Sequence, residues 1–173
     1  MEERTDEQLM AEVANGNLDL LKILFEKHHR HVYNFLYKMS GDKMLSEDLT
    51  QDVFYQIMRY KTSYNNGTFI SWLFTIARNK LKTHYRRNKD NSDNLDALRF
   101  QLAEKENPDE NYIHLNKALD RLSASDREIL VLNRFQEIRY KEIAEIIGST
   151  PGAVRTAANR ALKRLKVIYL KNI

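Results

Sequence analysis

The side chains best suited to reading a DNA sequence lie close together near the C-terminus of the chain. At helical spacing, one face of a predicted helix carries Arg155, Thr156, Asn159, Arg160 and Lys163. Arginine and asparagine pair with the edges of guanine and adenine in the major groove, and lysine neutralises phosphates. The pattern favours a base-reading helix, and the alternative is a helical hairpin with a solvated basic face.

A second set of residues, in the middle of the chain, is suited to binding a single strand. Residues 78–89 include six Lys or Arg residues and no acid. On a helix, the basic and aromatic positions form one stripe that comprises Arg78, Lys82, Tyr85, Arg86 and Lys89. Cations neutralise phosphates, and an aromatic side chain such as Tyr64 can stack on an unpaired base. For Trp72 the alternative is a core anchor, which is compatible with strand binding.

A third set of residues forms the polar face of a predicted helix and includes Asp48, Gln51, Asp52, Tyr55 and Arg59. Acidic side chains on a basic domain repel DNA, so this face favours a basic protein partner. Asp48 and Asp52 are one helical turn apart, but the sequence offers no third metal ligand beside them. No glycine-rich phosphate loop, zinc pattern or nucleophile motif occurs in the sequence. We therefore expect no catalytic residues, no metal site and no cofactor.

The elements that must position these side chains are predicted to be helices. Apolar residues recur at helical spacing through most of the chain, and no stretch alternates as a strand does. Polar residues are available to cap the first four helices, namely Thr5 (with Gln8 in a capping box), Asn17, Ser46 and Thr68. Glycine readily adopts the left-handed conformation, so the Asn17 helix is expected to end at Gly41.

The base-reading helix is predicted to be the second helix of a helix-turn-helix. Gly148 can adopt the left-handed conformation that ends the first helix. Thr150 is a good N-cap, and Pro151 suits the first helical position. Because the new helix begins within a few residues of the previous one, the chain must turn sharply. Before this motif, a helix is expected at Arg127–Phe135, opened by one of two nearby serine caps.

The distribution of charge indicates two modules and a linker. Residues 1–89 hold 14 basic and 11 acidic residues, and residues 111–173 hold 12 basic and 6 acidic residues. Residues 90–110, in contrast, hold 2 basic and 7 acidic residues. Two basic blocks around an acidic spacer suit two nucleic-acid-binding modules. We predict an all-α protein with two small helical domains and a flexible acidic linker, the domains at 1–88 and 112–173 and the linker at 89–111.

Composition and hydropathy indicate an intracellular protein. The 173 residues include no cysteine, so the chain offers neither a disulfide nor a thiolate zinc site. No apolar run is long enough to span a bilayer, and the N-terminus is acidic and polar, unlike a signal peptide. We expect a cytoplasmic protein without membrane insertion.

Three stretches of the chain resemble the extracytoplasmic-function (ECF) sigma factors, the smallest class of the sigma-70 family of bacterial RNA polymerase subunits. Asp48–Phe54 is similar to the polymerase-binding stretch of that family. Phe69–Asn79 resembles its promoter-melting helix, and Leu119–Leu165 resembles its C-terminal helix-turn-helix module. Together these stretches follow the family's order and spacing over nearly the whole chain.

The resemblance implies a promoter-specific transcription initiation factor that binds the RNA polymerase core. Residues implied to dock on the clamp helices of the largest polymerase subunit are Asp48, Gln51 and Asp52. Residues implied to bind and open the minus-ten element are Tyr64, Trp72, Arg78, Asn79, Lys82 and Arg86. Residues implied to recognise the minus-thirty-five element are Arg155, Thr156, Asn159, Arg160 and Lys163. The resemblance also admits an anti-sigma factor as a further protein partner.

Three positions depart from the family's pattern. Thr83 stands where the family usually has aspartate, and Ala157 and Leu162 stand where basic residues are common in the recognition helix. The first change alters the expected hydrogen bonding of the melting helix, and the other two leave the expected DNA face less basic. Two further classes of protein are alternatives: a helix-turn-helix regulator that is not a polymerase subunit, and a nucleic-acid-processing enzyme.

Overall fold

The computed structural model describes residues 3–65, 67–89 and 109–171. Throughout these residues the regular secondary structure is helical, without strands, which confirms the predicted all-α class. The chain divides into two compact units, Met1–Arg99 and Phe100–Ile173. Most of the predicted linker lies outside the described residues, so its flexibility and the domain boundaries stay predictions.

The described part of the first unit contains four α-helices and a 3₁₀ turn: α1 (Asp6–Ala14), α2 (Asp19–Ser40), α3 (Lys43–Arg59), the turn Lys61–Ser63 and α4 (Phe69–Lys89). Helix α2 contacts α1, α3 and α4, because apolar faces of all four meet in one core. The buried residues of α2, α3 and α4 include Leu24, Val32, Phe35, Val53, Ile57, Phe69, Leu73 and Phe74. Full burial of such side chains contributes roughly 1.5–3 kcal/mol each.

The helix starts show which local predictions were correct. At α1 the capping box is confirmed, because Thr5 Oγ1 accepts a hydrogen bond from Gln8 N at 3.2 Å and Gln8 Oε1 accepts one from Thr5 N at 2.9 Å. The predicted Asn17 cap of α2 is wrong, because Leu18 occupies the N-cap position and no side chain caps this helix. Although the helical dihedral angles of Leu18 leave Asn17 next to the first turn, the Asn17 side chain accepts no hydrogen bond from the described backbone of that turn.

The predicted Ser46 cap of α3 is also wrong. Gly41 ends α2 in the left-handed conformation (φ 68°), as predicted. Asp42 follows at once and caps α3 by accepting a hydrogen bond from Leu45 N at 3.0 Å. Helix α3 therefore begins at Lys43, and Ser46 is buried in its first turn, where Ser46 Oγ donates to the Asp42 backbone oxygen at 2.6 Å.

The described part of the second unit contains α5 (Glu110–Asp120), α6 (Ala124–Leu130), a π-helical segment (Val131–Phe135), α7 (Tyr140–Ile147) and α8 (Pro151–Lys171). Helix α6 begins earlier than the predicted Arg127, because Ser123 caps it by accepting from Asp126 N at 3.2 Å. Helix α8 contacts α5, α6 and α7. The buried residues include Leu119, Leu122, Leu130, Ile143, Val154, Ala158, Ala161 and Leu165.

The turn between α7 and α8 confirms the predicted helix-turn-helix. Gly148 is left-handed (φ 72°), and Thr150 Oγ1 accepts a hydrogen bond from Ala153 N at 3.2 Å. Within α8, Val154 and Ala158 are one helical turn apart and both are buried. Because that face packs on the core, the opposite face of α8 points to solvent.

Candidate nucleic-acid interfaces and a protein-docking face

The predicted reading face of α8 is fully formed on the surface. All five predicted residues are exposed: Arg155, Thr156, Asn159, Arg160 and Lys163. Thr156 Oγ1 donates to the Gly152 backbone oxygen at 3.1 Å, which holds this side chain against its own helix. None of the other four forms a hydrogen bond or ion pair with any part of the chain that the structure describes. Their donor groups are therefore available to a ligand.

The two apolar departures in α8 have a structural reason. Ala157 and Leu162 are half-buried, and Leu162 packs against the core cluster formed by residues of α5, α6 and α8. A basic residue at 162 would have to extend past this cluster to reach solvent. Neither side chain is fully exposed, and the expectation that the two departures leave the DNA face less basic stays a prediction.

The basic stripe of α4 lies partly exposed and partly packed. Asn79, Lys82 and Arg86 are exposed and make no hydrogen bond or ion pair with the described residues. Arg78 is half-buried and is engaged within the protein. Thr83, the other departure, is also half-buried. The exposed part of this face therefore presents one amide and three cations, Lys82, Arg86 and Lys89, a combination suited to phosphates and base edges.

Tyr64 and Trp72 form one aromatic unit at the start of α4. Their ring centroids are 5.3 Å apart with an interplanar angle of 50°, and the Tyr64 hydroxyl donates to the Gly67 backbone oxygen. The loop before α4 folds back onto the helix, so Tyr64 has partners within its own domain. Burial raises the pKa of Tyr64, and the negative charges of Glu7 and Asp6 raise it further.

Trp72 also lines a groove of about 410 Å³ between α3 and α4. Both Trp72 and Ile76 supply apolar surface, and Arg59 and Lys80 supply positive charge. The full lining is Tyr55, Gln56, Arg59, Tyr60, Ser63, Trp72, Ile76 and Lys80. Sequence reasoning did not identify Lys80 as part of a site, because the groove forms only when α3 packs on α4. Its aromatic and cationic walls suit a stacked base or a phosphate.

Helix α3 carries the predicted acidic face. Asp48, Gln51 and Asp52 are all exposed, and neither carboxylate forms an ion pair within the described residues. Two large apolar side chains accompany them, because Met44 is 75% exposed and Tyr55 is 57% exposed. Sequence reasoning missed Met44. Apolar surface beside unpaired carboxylates is typical of a protein-docking face with a basic partner.

Other kinds of site find no support in the described residues. They contain no group of three His, Asp or Glu side chains arranged to hold a metal ion. Among the helices that the structure describes, none combines the length and the apolar character that crossing a membrane requires.

Comparison with known proteins identifies both units. Residues 24–90 match Sigma-70 region 2, and residues 114–165 match Sigma-70 region 4. The RNA polymerase sigma factor CarQ of Myxococcus xanthus is 32% identical, with 91% of this chain and 93% of CarQ covered. The ECF RNA polymerase sigma factor SigM of Bacillus subtilis is 30% identical, with 87% of this chain and 95% of SigM covered.

Solved structures agree with this result. The sigma factor RpoE from Bartonella quintana, crystallised with the anti-sigma factor NepR, has a TM-score of 0.73 and 25% identity, covering 85% of this chain and 94% of RpoE. CnrH, in complex with the cytosolic domain of CnrY, has a TM-score of 0.76 at 21% identity, covering 97% of this chain and 99% of CnrH. The likeness to CnrH supports the fold alone.

The chain therefore belongs to the sigma-70 family of RNA polymerase sigma factors. Within that family it is an ECF sigma factor, since its relatives of this class match it over nearly the whole of both chains. Its function is that of a promoter-specific transcription initiation factor.

Proposed function

We propose that this sigma factor contacts RNA polymerase through α3 and promoter DNA through α4 and α8. The observation that carries the proposal is that three separate faces present side chains without partners of their own. Two of these faces are cationic and suit DNA, while the third is acidic with exposed apolar residues and suits a protein.

Helix α8 is proposed to read the minus-thirty-five element in the major groove. As the second helix of a helix-turn-helix, it would place its N-terminal residues against base edges. Arg155 and Asn159 lie one turn apart near this end and have the chemistry to recognise guanine and adenine. Thr156, Arg160 and Lys163 flank them and are proposed to contact bases or phosphates.

Helix α4 and the loop before it are proposed to bind the opened minus-ten element. Opening promoter DNA loses stacking of roughly 1.4 kcal/mol per base step. A protein whose sequence has no nucleotide-binding motif must recover this free energy by binding the opened strand more tightly than the duplex. Tyr64 and Trp72 offer a stacking surface for an extruded base, and Asn79 follows about two turns further along α4. Arg78, Lys82 and Arg86 are proposed to hold the strand or the adjacent backbone.

Helix α3 is proposed to dock on the clamp helices of the largest polymerase subunit through Asp48, Gln51 and Asp52. With RNA polymerase as its partner, the protein is proposed to act in the cytoplasm. The proposed role of the protein itself is binding rather than catalysis. An anti-sigma factor is proposed as a further partner, because the related RpoE was crystallised with the anti-sigma factor NepR.

Reversal of one charge on α3 tests the docking assignment. Asp52→Arg is expected to lower affinity for the polymerase core without altering the fold, because an exposed carboxylate is replaced by a repelling cation. Glu26→Arg on α2 is the matched control, since Glu26 is also exposed and pairs only loosely with Lys22, at 3.8 Å. Native-gel titration of the core with each variant measures the effect. Unchanged core binding by Asp52→Arg at physiological salt would remove α3 from the interface.

A further inference from the structure

The N-terminal end of α4 is held by a residue from a distant part of the chain. Phe69, the first residue of α4, donates its backbone N–H to Glu7 Oε1 of α1 over 3.0 Å. The N–H groups of the first helical turn have no partner within their own helix. The Glu7 carboxylate satisfies one of them and interacts favourably with the positive end of the helix dipole. Glu7 therefore caps α4 from outside the helix.

Helix α1, which carries Glu7, is fixed to the rest of the first unit. Asp6 accepts a hydrogen bond from Lys27 Nζ at 2.8 Å, and its other carboxylate oxygen lies 2.7 Å from His28 Nε2. The side chains of Asp6 and His28 are only 13% and 7% exposed. The His28 ring lies 5.4 Å from the Phe69 ring. Glu7 thus reaches α4 from a helix that is itself held against α2.

The same carboxylate is electrostatically coupled to Tyr64, one of the two rings of the aromatic unit. After burial, the negative charge of Glu7 is the next cause of the raised pKa of Tyr64, so Glu7 is electrostatically coupled to this ring. Helix α1 also contacts the 3₁₀ turn that ends directly before Tyr64. Trp72 follows the capped Phe69 within one helical turn. Glu7 is therefore linked to Tyr64 by its charge and to Trp72 through the first turn of α4. Glu7 itself belongs to neither the loop nor α4.

We propose that Glu7 is a positioning residue for promoter opening. By holding the Phe69 end of α4, it sets the orientation of Tyr64 and Trp72 toward the minus-ten strand. Glu7 acts through α4 and does not itself contact DNA. This inference rests on the proposed function of the two aromatic side chains.

Strand opening by the reconstituted holoenzyme tests the proposal, with permanganate reactivity of minus-ten thymines as the readout. Glu7→Ala is expected to lower the open fraction by up to about fivefold, the factor that corresponds to the free energy of one helix cap if strand opening bears the whole of its loss. Glu7→Gln keeps an acceptor oxygen and is expected to restore most of the opening. Glu12→Ala is the matched control, because Glu12 lies on the same helix and pairs with the exposed Arg4. This control is expected to open promoters as the wild type does, and no recovery with Glu7→Gln would overturn the proposal.

Coupling to Tyr64 separates positioning from a general loss of stability. In a Tyr64→Ala background, Glu7→Ala is expected to cause a clearly smaller further loss of opening, since only Trp72 is then left for Glu7 to position. An equal loss in both backgrounds would overturn the proposal. If Glu7→Ala does not fold, Glu7→Asp replaces it in the same comparison of the wild-type and Tyr64→Ala backgrounds. Glu7→Asp shortens the side chain and keeps its charge.

The proposed function of Tyr64 and Trp72 and the positioning role of Glu7 are contradicted by different results. If Tyr64→Ala leaves opening intact, the proposed function of the aromatic unit is wrong and the inference falls with it. If Tyr64→Ala impairs opening while Glu7→Ala does not, only the positioning role of Glu7 is wrong.

Discussion

Truncation of the reading face of α8 is expected to weaken promoter recognition without affecting the fold. Arg155 and Asn159 are exposed and have no partner among the described residues. Replacing either residue by alanine should therefore change the free energy of unfolding by no more than about 0.5 kcal/mol. A lost base contact, in contrast, costs roughly 1–3 kcal/mol of binding free energy, which corresponds to a loss of affinity of about five- to 150-fold.

A cation at the far end of the same helix provides the matched control. Lys171 is exposed and lies roughly 24 Å from Arg155 along the axis of α8, at about 1.5 Å per residue. Lys171→Ala removes the same charge as Arg155→Ala, but from a position beyond the reach of the bases that the N-terminal end of α8 is proposed to contact. It is expected to change the ratio of specific to non-specific affinity little.

Fluorescence anisotropy of the holoenzyme on labelled duplexes distinguishes the kinds of contact. Duplexes with the intact and the scrambled upstream element are compared at several salt concentrations. Loss of a base contact lowers the ratio of specific to non-specific affinity, whereas loss of a phosphate contact weakens both and reduces the salt slope by about 1. If neither Arg155→Ala nor Asn159→Ala alters affinity or base preference, the reading face lies elsewhere.

Two further predictions concern the first unit. Tyr64→Ala is expected to impair strand opening more than closed-complex formation, whereas Tyr64→Phe keeps the ring on Trp72 and is expected to keep strand opening. Permanganate footprinting on ordinary and pre-melted promoters measures the effect. If pre-melted templates do not rescue Tyr64→Ala and the melting temperature of the variant falls strongly, Tyr64 is a core residue instead. Burial favours a raised pKa for Asp6, but its hydrogen bonds with His28 and Lys27 outweigh this and lower the pKa below 3.8. Because the folded pKa is the lower one, the stabilisation is present above about pH 4 and is lost as pH falls through the folded value. Denaturant melts should show Asp6→Asn to be less stable than the wild type at pH 7, with the difference shrinking below pH 4; a constant difference would contradict this.

Features governed by neighbouring residues could be predicted from the sequence. The capping box at Thr5 and the turn from Gly148 to Thr150 depend on backbone groups a few residues away, so residue type and spacing suffice to predict them. The exposed face of α8 follows from the same periodicity that buries Val154 and Ala158.

Features that depend on tertiary packing could not be predicted in this way. Asp42 and Ser46 are both good caps by residue type, and the tight reversal at Gly41 together with the burial of Ser46 decides between them. The contact between Glu7 and Phe69 joins residues 62 positions apart, so no local pattern indicates it. The groove between α3 and α4 likewise arises only after these helices pack together, and the contact between Tyr64 and Trp72 depends on how the loop before α4 folds back.

Transcription with purified components tests most directly whether this chain works as the proposed initiation factor. Core polymerase of the source bacterium is freed of its own sigma subunits and given a library of genomic fragments, with and without this protein, and the 5′ ends of the transcripts are sequenced. With the protein, we predict starts downstream of a shared two-part motif at fixed spacing, and loss of these starts with Arg155→Ala. Start sites that are the same with and without the protein would contradict the account.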